Sequence, residues 1–481
     1  MKVDPVRLRA LDILNRVLDG QALDSLLDEN LEALKLPQEK AFLAELVRGT
    51  LQWRGRYDHV IAHFVSKRPP RDPRLLNLLR LSLHQLLALD GVPPYAAIHQ
   101  GGELCRKSVS PRLVGFVNGL LRNVKRAVLD GDESEDAQAN SDLRVRRLRP
   151  VFEQLEADPA AWLAAWHSHP LWLVRRWIER YGLDCASEIC QWNNQPVNLA
   201  FHVLAPAEPA EAAAYLAEVD CPVLLRDYGR TLVTQNRLSR VQLTGILEQR
   251  PDLIVQDPVV QEATAWLTQG LLEMEIPAGN LAGATDPDTG LSGHDLRCLD
   301  LCAAPGGKTA HLAATLPDPW RITAMDNRRG RVRLLGGTLK RIESRSVDMV
   351  LADGNNPPFA AGTFSAVLLD GPCSGTGVLR HHPDGRWRLN PETLVRNGKI
   401  LGELAASAVD LLAPGGCLLY ATCSLESEEN EDVLDALLEG RDDLEPVIEA
   451  GSDTDLEWRR GWLPPEAGGD GFFAARLRKK Y

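Results

Sequence analysis

Arg297-Cys298-Leu299-Asp300-Leu301-Cys302-Ala303-Ala304-Pro305-Gly306-Gly307-Lys308-Thr309 passes from an apolar run into a loop of small residues and on into a segment of helical composition. Small residues let a ligand approach the backbone closely, and a helix starting after such a loop offers unpaired N–H groups. Three ligands compete for it. A dinucleotide loop requires G-x-G-x-x-G, and the spacing fails. A P-loop requires G-x-x-x-x-G-K-[ST]; Gly307-Lys308-Thr309 fits, but Cys302 stands where the first glycine belongs, which leaves an ATPase as a rival. The third ligand is S-adenosylmethionine, held by Cys302, Ala303, Ala304, Pro305, Gly306, Gly307 and Lys308. Its ribose diol calls for a carboxylate at the end of the second strand, and its adenine for a polar residue after the third. Asp326 and Asp353 stand in those places. Acids there would repel a nucleoside triphosphate but tolerate a cationic sulfonium. Either aspartate alone reads as a helix cap or turn residue; in series after one glycine loop they favour the cofactor.

Outward from this loop, strand-like apolar runs recur at Arg297–Leu301, Arg321–Met325, Val347–Leu351, Ala366–Leu369, Cys417–Ala421 and Phe472–Leu477, several of them separated by helix-length segments. Such alternation builds a parallel sheet with helices on both faces, with ligands beyond the carboxyl ends of the strands. This α/β domain is expected over residues 291–481. The other end of the chain is helical in period: Leu11, Leu14, Val17 and Leu18 form one stripe, Leu113, Phe116, Val117, Leu120, Leu121 and Val124 another, and Leu75–Leu89 reads as a buried helix. An all-α domain is expected over 1–129, followed by an acidic linker at 130–142. Residues 143–290 read as a connector. Its tryptophan-rich helical part (Trp162, Trp166, Trp172, Trp177) reads as core. A small α+β part follows, with strands near Leu199–Leu204, Pro222–Leu225, Thr231–Thr234 and Leu253–Val255 and a helix near Ala210–Val219, then an exposed loop at 277–294.

The formal net charge of −12, over 481 residues, argues at first against a nucleic-acid partner. Its distribution argues otherwise. Residues 1–126 carry 20 basic and 13 acidic side chains, while 150–300 hold 21 acids and 9 basics. Residues 321–345 hold Arg321, Arg328, Arg329, Arg331, Arg333, Lys340, Arg341 and Arg345 against Asp326 and Glu343, a ridge expected to face RNA. A hydrophobic fraction of 44% excludes wholesale disorder. Nine cysteines without tandem Cys-x-x-Cys pairs fit a reducing compartment, with no disulfide framework and no metal site. The amino-terminal residues mix both charge signs, and the longest stretch without Asp, Glu, Lys or Arg, Ile189–Ala207, is too polar for lipid. A soluble, cytoplasmic, monomeric protein is expected.

Two further strands end in thiols: Leu368-Leu369-Asp370-Gly371-Pro372-Cys373-Ser374-Gly375-Thr376-Gly377 and Tyr420-Ala421-Thr422-Cys423-Ser424. One buried cysteine is a small hydrophobe; two in polar turns beside a carboxylate point to chemistry. Carbon 5 of cytosine is a poor nucleophile. A thiolate adding at carbon 6 makes an enamine whose carbon 5 can attack a methylsulfonium. A protonated carboxyl at N3 stabilises that adduct, and a second group can assist its elimination. The base must be unstacked or single-stranded.

The motifs CAAPGGKT (302–309), LLDGPCSGTG (368–377) and YATCS (420–424), with the closing Asp470-Gly471-Phe472-Phe473, resemble the Sun family of RNA (cytosine-C5)-methyltransferases. The resemblance implies a Rossmann-like catalytic domain and makes Cys423 the nucleophile and Cys373 the residue concerned with product release. It further implies that Asp370 contacts both cofactor and target base, and that Lys308 lies in the site. VRLRALDILNRVL, GTLQWRGRY (49–57) and VGFVNGLLRNV (114–124) resemble the NusB-like RNA-binding domain. That domain precedes the catalytic part in family members acting on 16S ribosomal RNA, the substrate the resemblance implies, with an RRM-like or ferredoxin-like connector between. Transfer RNA as substrate and a non-enzymatic RNA-binding or antitermination protein remain the alternatives. The chain departs from the family pattern at Ala200 (an arginine is lost), Val260 (a serine is lost), Gly371 (usually alanine) and His381 (commonly arginine).

Overall fold

The computed structural model of the chain describes residues 3–65, 68–129, 140–226, 230–273, 296–344, 347–448, 458–465 and 468–481. Most of the expected acidic linker and all of the expected 277–294 loop lie outside the described residues. Two compact units result: Met1–Gln195 with Leu379–Arg388, and Pro196–Val378 with Leu389–Tyr481.

In the first unit, helices Pro5–Leu18, Leu23–Glu32, Pro37–Gln52, Arg54–Phe64, Pro73–Ala88, Pro94–Ser108 and Val114–Leu129 surround a leucine core. Asp4 and Asp72 cap the helices begun by Pro5 and Pro73, accepting from the backbone N–H of Arg7 and Arg74. Leu75, Leu78, Leu79, Leu81, Leu83, Leu86 and Leu87 are all buried, as befits a helix apolar nearly all round.

The domain boundary differs from the one expected at residue 143. Leu148, Val151 and Phe152 join the core of the helical unit, Trp177 is fully buried, and Trp166 meets Phe152 edge-on at 5.1 Å. Buried Arg144 donates to Asp90 Oδ1 at 3.1 Å. A helix with an apolar stripe must bury it, and the helices from Ser141 to Trp192 do so within this unit. The composition break at the acidic run therefore does not mark the change of core.

The second unit carries two sheets. In the smaller, β1 (Ala200–Val203), β2 (Val223–Leu225), β3 (Thr231–Thr234) and β4 (Leu253–Val255) pair antiparallel in the order β2-β3-β1-β4. With helices Pro209–Glu218 and Arg240–Gln249 this is the βαββαβ, ferredoxin-like arrangement. The larger contains β5 (Arg297–Asp300), β6 (Arg321–Asp326), β7 (Val347–Leu351), β8 (Phe364–Asp370), β9 (Leu412–Thr422), β10 (Leu444–Pro446), β11 (Arg459–Trp462) and β12 (Phe472–Lys479). The order is β10-β12-β9-β8-β5-β6-β7, with β11 on β12. Strands β5 to β9 are parallel, and β12 runs antiparallel to β9. Six of the seven β8 residues are buried, as in a sheet covered on both faces by helices. The short β10 and β11, with their charges and a proline, gave no apolar signal. Strand order turns back between β5 and β8, and the crevice at the carboxyl ends of those strands is where this architecture holds ligands. Among the described residues no helix is long and apolar enough to cross a membrane.

Candidate active site

β5 delivers Asp300 to the crevice. Thr309 Oγ1 donates to Asp300 Oδ2 at 2.6 Å, whereas buried Oδ1 has no hydrogen-bond partner. Burial pushes the Asp300 carboxyl up to about 7. The loop beyond is pinned from two sides: Ala303 N donates to Met325 O at 2.9 Å and Thr338 Oγ1 to Pro305 O at 2.8 Å. Gly306 has φ +107°, and a Cβ there would come within 2.9 Å of Leu335 Cδ1, so this turn admits only glycine without strain. Helix Gly307–Thr315 starts immediately after it. Asp326, buried at the end of β6, accepts from Arg328 N at 3.0 Å and pairs with Arg331 Nε at 3.2 Å. Asp353, past the end of β7, is exposed, and its Oδ1 accepts from Asn355 N at 3.0 Å, as a turn-forming aspartate does. An unpartnered buried carboxylate oxygen, a loop without side-chain volume and acids at strand ends fit a cationic, nucleoside-bearing cofactor.

β8 and β9 carry the rest. Their parallel register sets Asp370 opposite Ala421, so the turns that follow lie side by side. Cys373 Sγ and Cys423 Sγ are 3.3 Å apart. Lys308 Nζ donates to Asp370 Oδ2 at 2.6 Å and lies 5.1 Å from the centre of the Phe472 ring. Burial alone would lower Lys308, but the charge and hydrogen bond of Asp370 outweigh it and hold the ammonium above its ordinary value. The Cys373 thiol is pushed well above its ordinary value by its hydrogen bond to Cys423, by burial, and by the charges of Cys423, Glu429 and Asp370. Cys373, Cys423, Asp370 and Lys308 thus share one crevice. The family departure at Gly371 has a steric basis, because Leu401 Cδ2 lies 2.3 Å from where a Cβ would stand.

Sequence reasoning passed over Glu429 and Asn430. Six residues after Cys423, Glu429 is fully buried and accepts from Ser374 N, Ser374 Oγ and Asn397 Nδ2 at 2.7, 2.6 and 2.8 Å. Asn430 accepts from Thr422 Oγ1 at 2.5 Å and donates to Ser424 O at 2.9 Å. The acid-rich run Glu426–Glu431 resembles a solvated helix start, which masks the role of these side chains.

The basic cluster at 321–345 is divided in use. Arg331 serves Asp326 and the Ala304 carbonyl, and Arg341 donates to Leu253 O at 2.7 Å; Arg328, Arg329, Arg333 and Lys340 are exposed. Arg345 lies outside the described residues. The segment with His381 belongs to the first unit, where Arg380 lies over Trp192, 4.4 Å from the ring centre.

A doubly wound sheet, a glycine-cornered loop between acidic strand ends and a charged crevice with paired thiols define an S-adenosylmethionine-dependent methyltransferase. Residues 291–478 match the 16S rRNA methyltransferase RsmB/F model and residues 4–126 the NusB family model. The chain is 31% identical over 492 residues to methyltransferase MT1451 of Mycobacterium tuberculosis, covering 99% of this chain and 97% of that one. It is 28% identical over 487 residues to ribosomal RNA small subunit methyltransferase B of Yersinia pestis, covering 99% of each. The crystal structure of PH0851 matches in fold with a TM-score of 0.70 at 23% identity, over 100% of both chains. The chain belongs to the 16S rRNA methyltransferase RsmB/F family, with a NusB-family domain at its amino terminus.

Proposed function

We propose that this protein methylates carbon 5 of a cytosine in 16S ribosomal RNA through a covalent adduct on Cys423. The observation that carries the proposal is the pair of thiols 3.3 Å apart at the ends of neighbouring strands, beside the Lys308–Asp370 pair. The name of the Yersinia pestis relative, which specifies the small-subunit ribosomal RNA, supports the substrate. Cys302–Lys308, Asp326, Asp353 and Asp370 are the residues that would hold S-adenosylmethionine. When bound, it supplies an electrophilic methyl group. The helical unit and the exposed Arg328, Arg329, Arg333 and Lys340 are placed in this proposal against RNA phosphates.

Cys423 yields its proton to Asp370, and its sulfur bonds to carbon 6 of the unstacked base. Asp370, now protonated, hydrogen-bonds ring N3 and stabilises the electron-rich adduct, while the Lys308 ammonium beside it favours return to the carboxylate at the end of the cycle. Once carbon 5 carries the methyl group, Cys373 gives its proton to the departing sulfur and, as the thiolate so formed, takes the carbon 5 proton. The ring double bond re-forms, Cys423 leaves as a thiol and Asp370 releases its proton to water. A Cys373 that rests as the neutral thiol suits this exchange.

The test is methylation of unmodified 16S ribosomal RNA by the purified protein, with bisulfite mapping of the product. Wild type should form 5-methylcytosine, Cys423→Ala should form none, and Cys373→Ala should accumulate an RNA adduct stable to denaturing electrophoresis. Full activity in Cys423→Ala, or modification confined to transfer RNA, would overturn the proposal.

A further inference from the structure

Two thiols at the ends of adjacent strands start out chemically alike, yet the reaction needs one as a nucleophile and the other as a proton carrier. What differs is the charge on either side of them. Lys308 stands within electrostatic reach of Cys423 and is bonded to Asp370. On the Cys373 side lies Glu429, whose carboxylate is bound by the backbone and hydroxyl of Ser374, the next residue in the chain. Asn397 donates to the same carboxylate, and the Tyr420 hydroxyl donates to the Glu429 carbonyl. Asn430, adjacent to Glu429, brackets Cys423 by bonding Thr422 and Ser424. One short segment therefore grips both turns, and the Glu429 carboxylate within it is attached to only one of them.

We propose that Glu429 is the positioning residue that makes the thiols unequal: its carboxylate, clamped to the Cys373 turn, disfavours negative charge on that sulfur and leaves Cys423, on the Lys308 side, as the more reactive one. The groups facing Cys373 are Cys423, Glu429 and Asp370, with the Tyr420 phenol beside them; each of the three ionisable neighbours disfavours a second negative charge there. The raised Cys373 thiol agrees in direction. Which thiol attacks RNA rests on the function proposed above; the inequality itself does not, and it can be measured without RNA.

The experiment is iodoacetamide labelling of the full chain across pH, with the extent at Cys373 and Cys423 read separately by mass spectrometry. Wild type should label Cys423 at the lower pH. Glu429→Gln keeps the shape, and its carbonyl still accepts from Ser374 N, but the charge is gone. Its Cys373 midpoint should fall by about one pH unit or more, closing on that of Cys423. Asn397→Ala, which removes a hydrogen bond but no charge, should leave the order unchanged, as should Glu429→Asp. An unmoved Cys373 midpoint in a folded Glu429→Gln variant overturns the proposal. So does Cys373 labelling first in wild type or in Glu429→Asp, should the Gln variant not fold. In the methylation assay Glu429→Gln should lower kcat by about tenfold or more with KM for RNA unchanged. A wild type that orders its thiols as stated but methylates no RNA would remove the proposed function and leave this inference standing.

Discussion

Replacing Lys308 with Met takes away the ammonium 2.6 Å from Asp370. At that separation two unit charges attract by about 6 kcal/mol at an effective dielectric constant near 20. Lost hydration offsets much of this, and Asp370 is 32% exposed against 13% for Lys308, so water screens the pair on one side. A net cost of about 2–3 kcal/mol is expected for Lys308→Met, because a half-buried carboxylate is left without its partner. Asp370→Asn should cost a similar amount by stranding the more buried charge. The double variant strands neither and should lose less than the two single costs added, giving a coupling energy of about 2 kcal/mol. Urea unfolding followed by tryptophan fluorescence measures all four proteins. The pH response carries a sign. The folded-state value of Lys308 lies above its unfolded value, so the contribution is whole below about pH 10 and fades as pH rises through the folded value. The stability gap between wild type and Lys308→Met should therefore be level from about pH 6 to about 9 and narrow above that. Strict additivity in the cycle, or a gap that widens at alkaline pH, would refute the picture of a desolvated ion pair.

Asp300 has a folded-state value of about 7 against an unfolded value near 4, so its favourable contribution is present below about pH 4 and is lost as pH rises through 7. Asp300→Asn should gain stability relative to wild type across that window and hold the gain above it; a difference independent of pH would count against the burial argument. In the helical unit, buried Arg386 donates to Ser168 O, Asn194 Oδ1 and Asn193 O at 3.0, 3.1 and 2.9 Å. Arg386→Met should lower stability by about 2–4 kcal/mol by stranding those acceptors, and an unchanged thermal midpoint would show that water replaces the guanidinium. Reversing Arg329 and Arg333 to Glu should weaken RNA binding in filter assays and flatten its dependence on salt by about two ion equivalents, while an unaltered slope would place RNA elsewhere.

Strand positions were legible because each buried strand is a nearly unbroken apolar run. The runs at Ala366–Leu369 and Cys417–Ala421 fall within the buried β8 and β9, and the run at Val347–Leu351 falls within β7, an edge strand that is apolar in sequence although none of its residues is buried. The loop and both thiol turns were legible for a related reason: they sit where such runs stop, and a strand end fixes where its next residue points. The domain boundary was not legible, because an acidic run reports solvation of the chain and not which core the following helices join. Arg144 and Phe152 bury their side chains with the amino-terminal helices in spite of it, and Trp177 is buried within the same unit. Glu429 was hidden for the opposite reason. Its type predicts exposure, and only the fold reveals that Ser374 and Asn397 satisfy its carboxylate.

The basic residues separate pattern from use in the same way. Arg331 and Arg341 belong by sequence to one ridge with Arg329 and Arg333, yet their guanidiniums are occupied with Asp326 and with the carbonyl of Leu253. Arg341 bridges the helix Arg329–Arg341 to β4, tying the small sheet to the large one inside a single unit. A charge count therefore overstates the surface available to RNA, and the net −12 understates it, because both average over side chains whose partners are fixed by packing. Arg329 and Arg333 are the appropriate positions for charge reversal. A change there alters the field at an exposed helix face, whereas the same change at Arg331 or Arg341 would also break contacts that hold the Asp326 carboxylate or the β4 carbonyls, and lost binding could not be assigned to RNA.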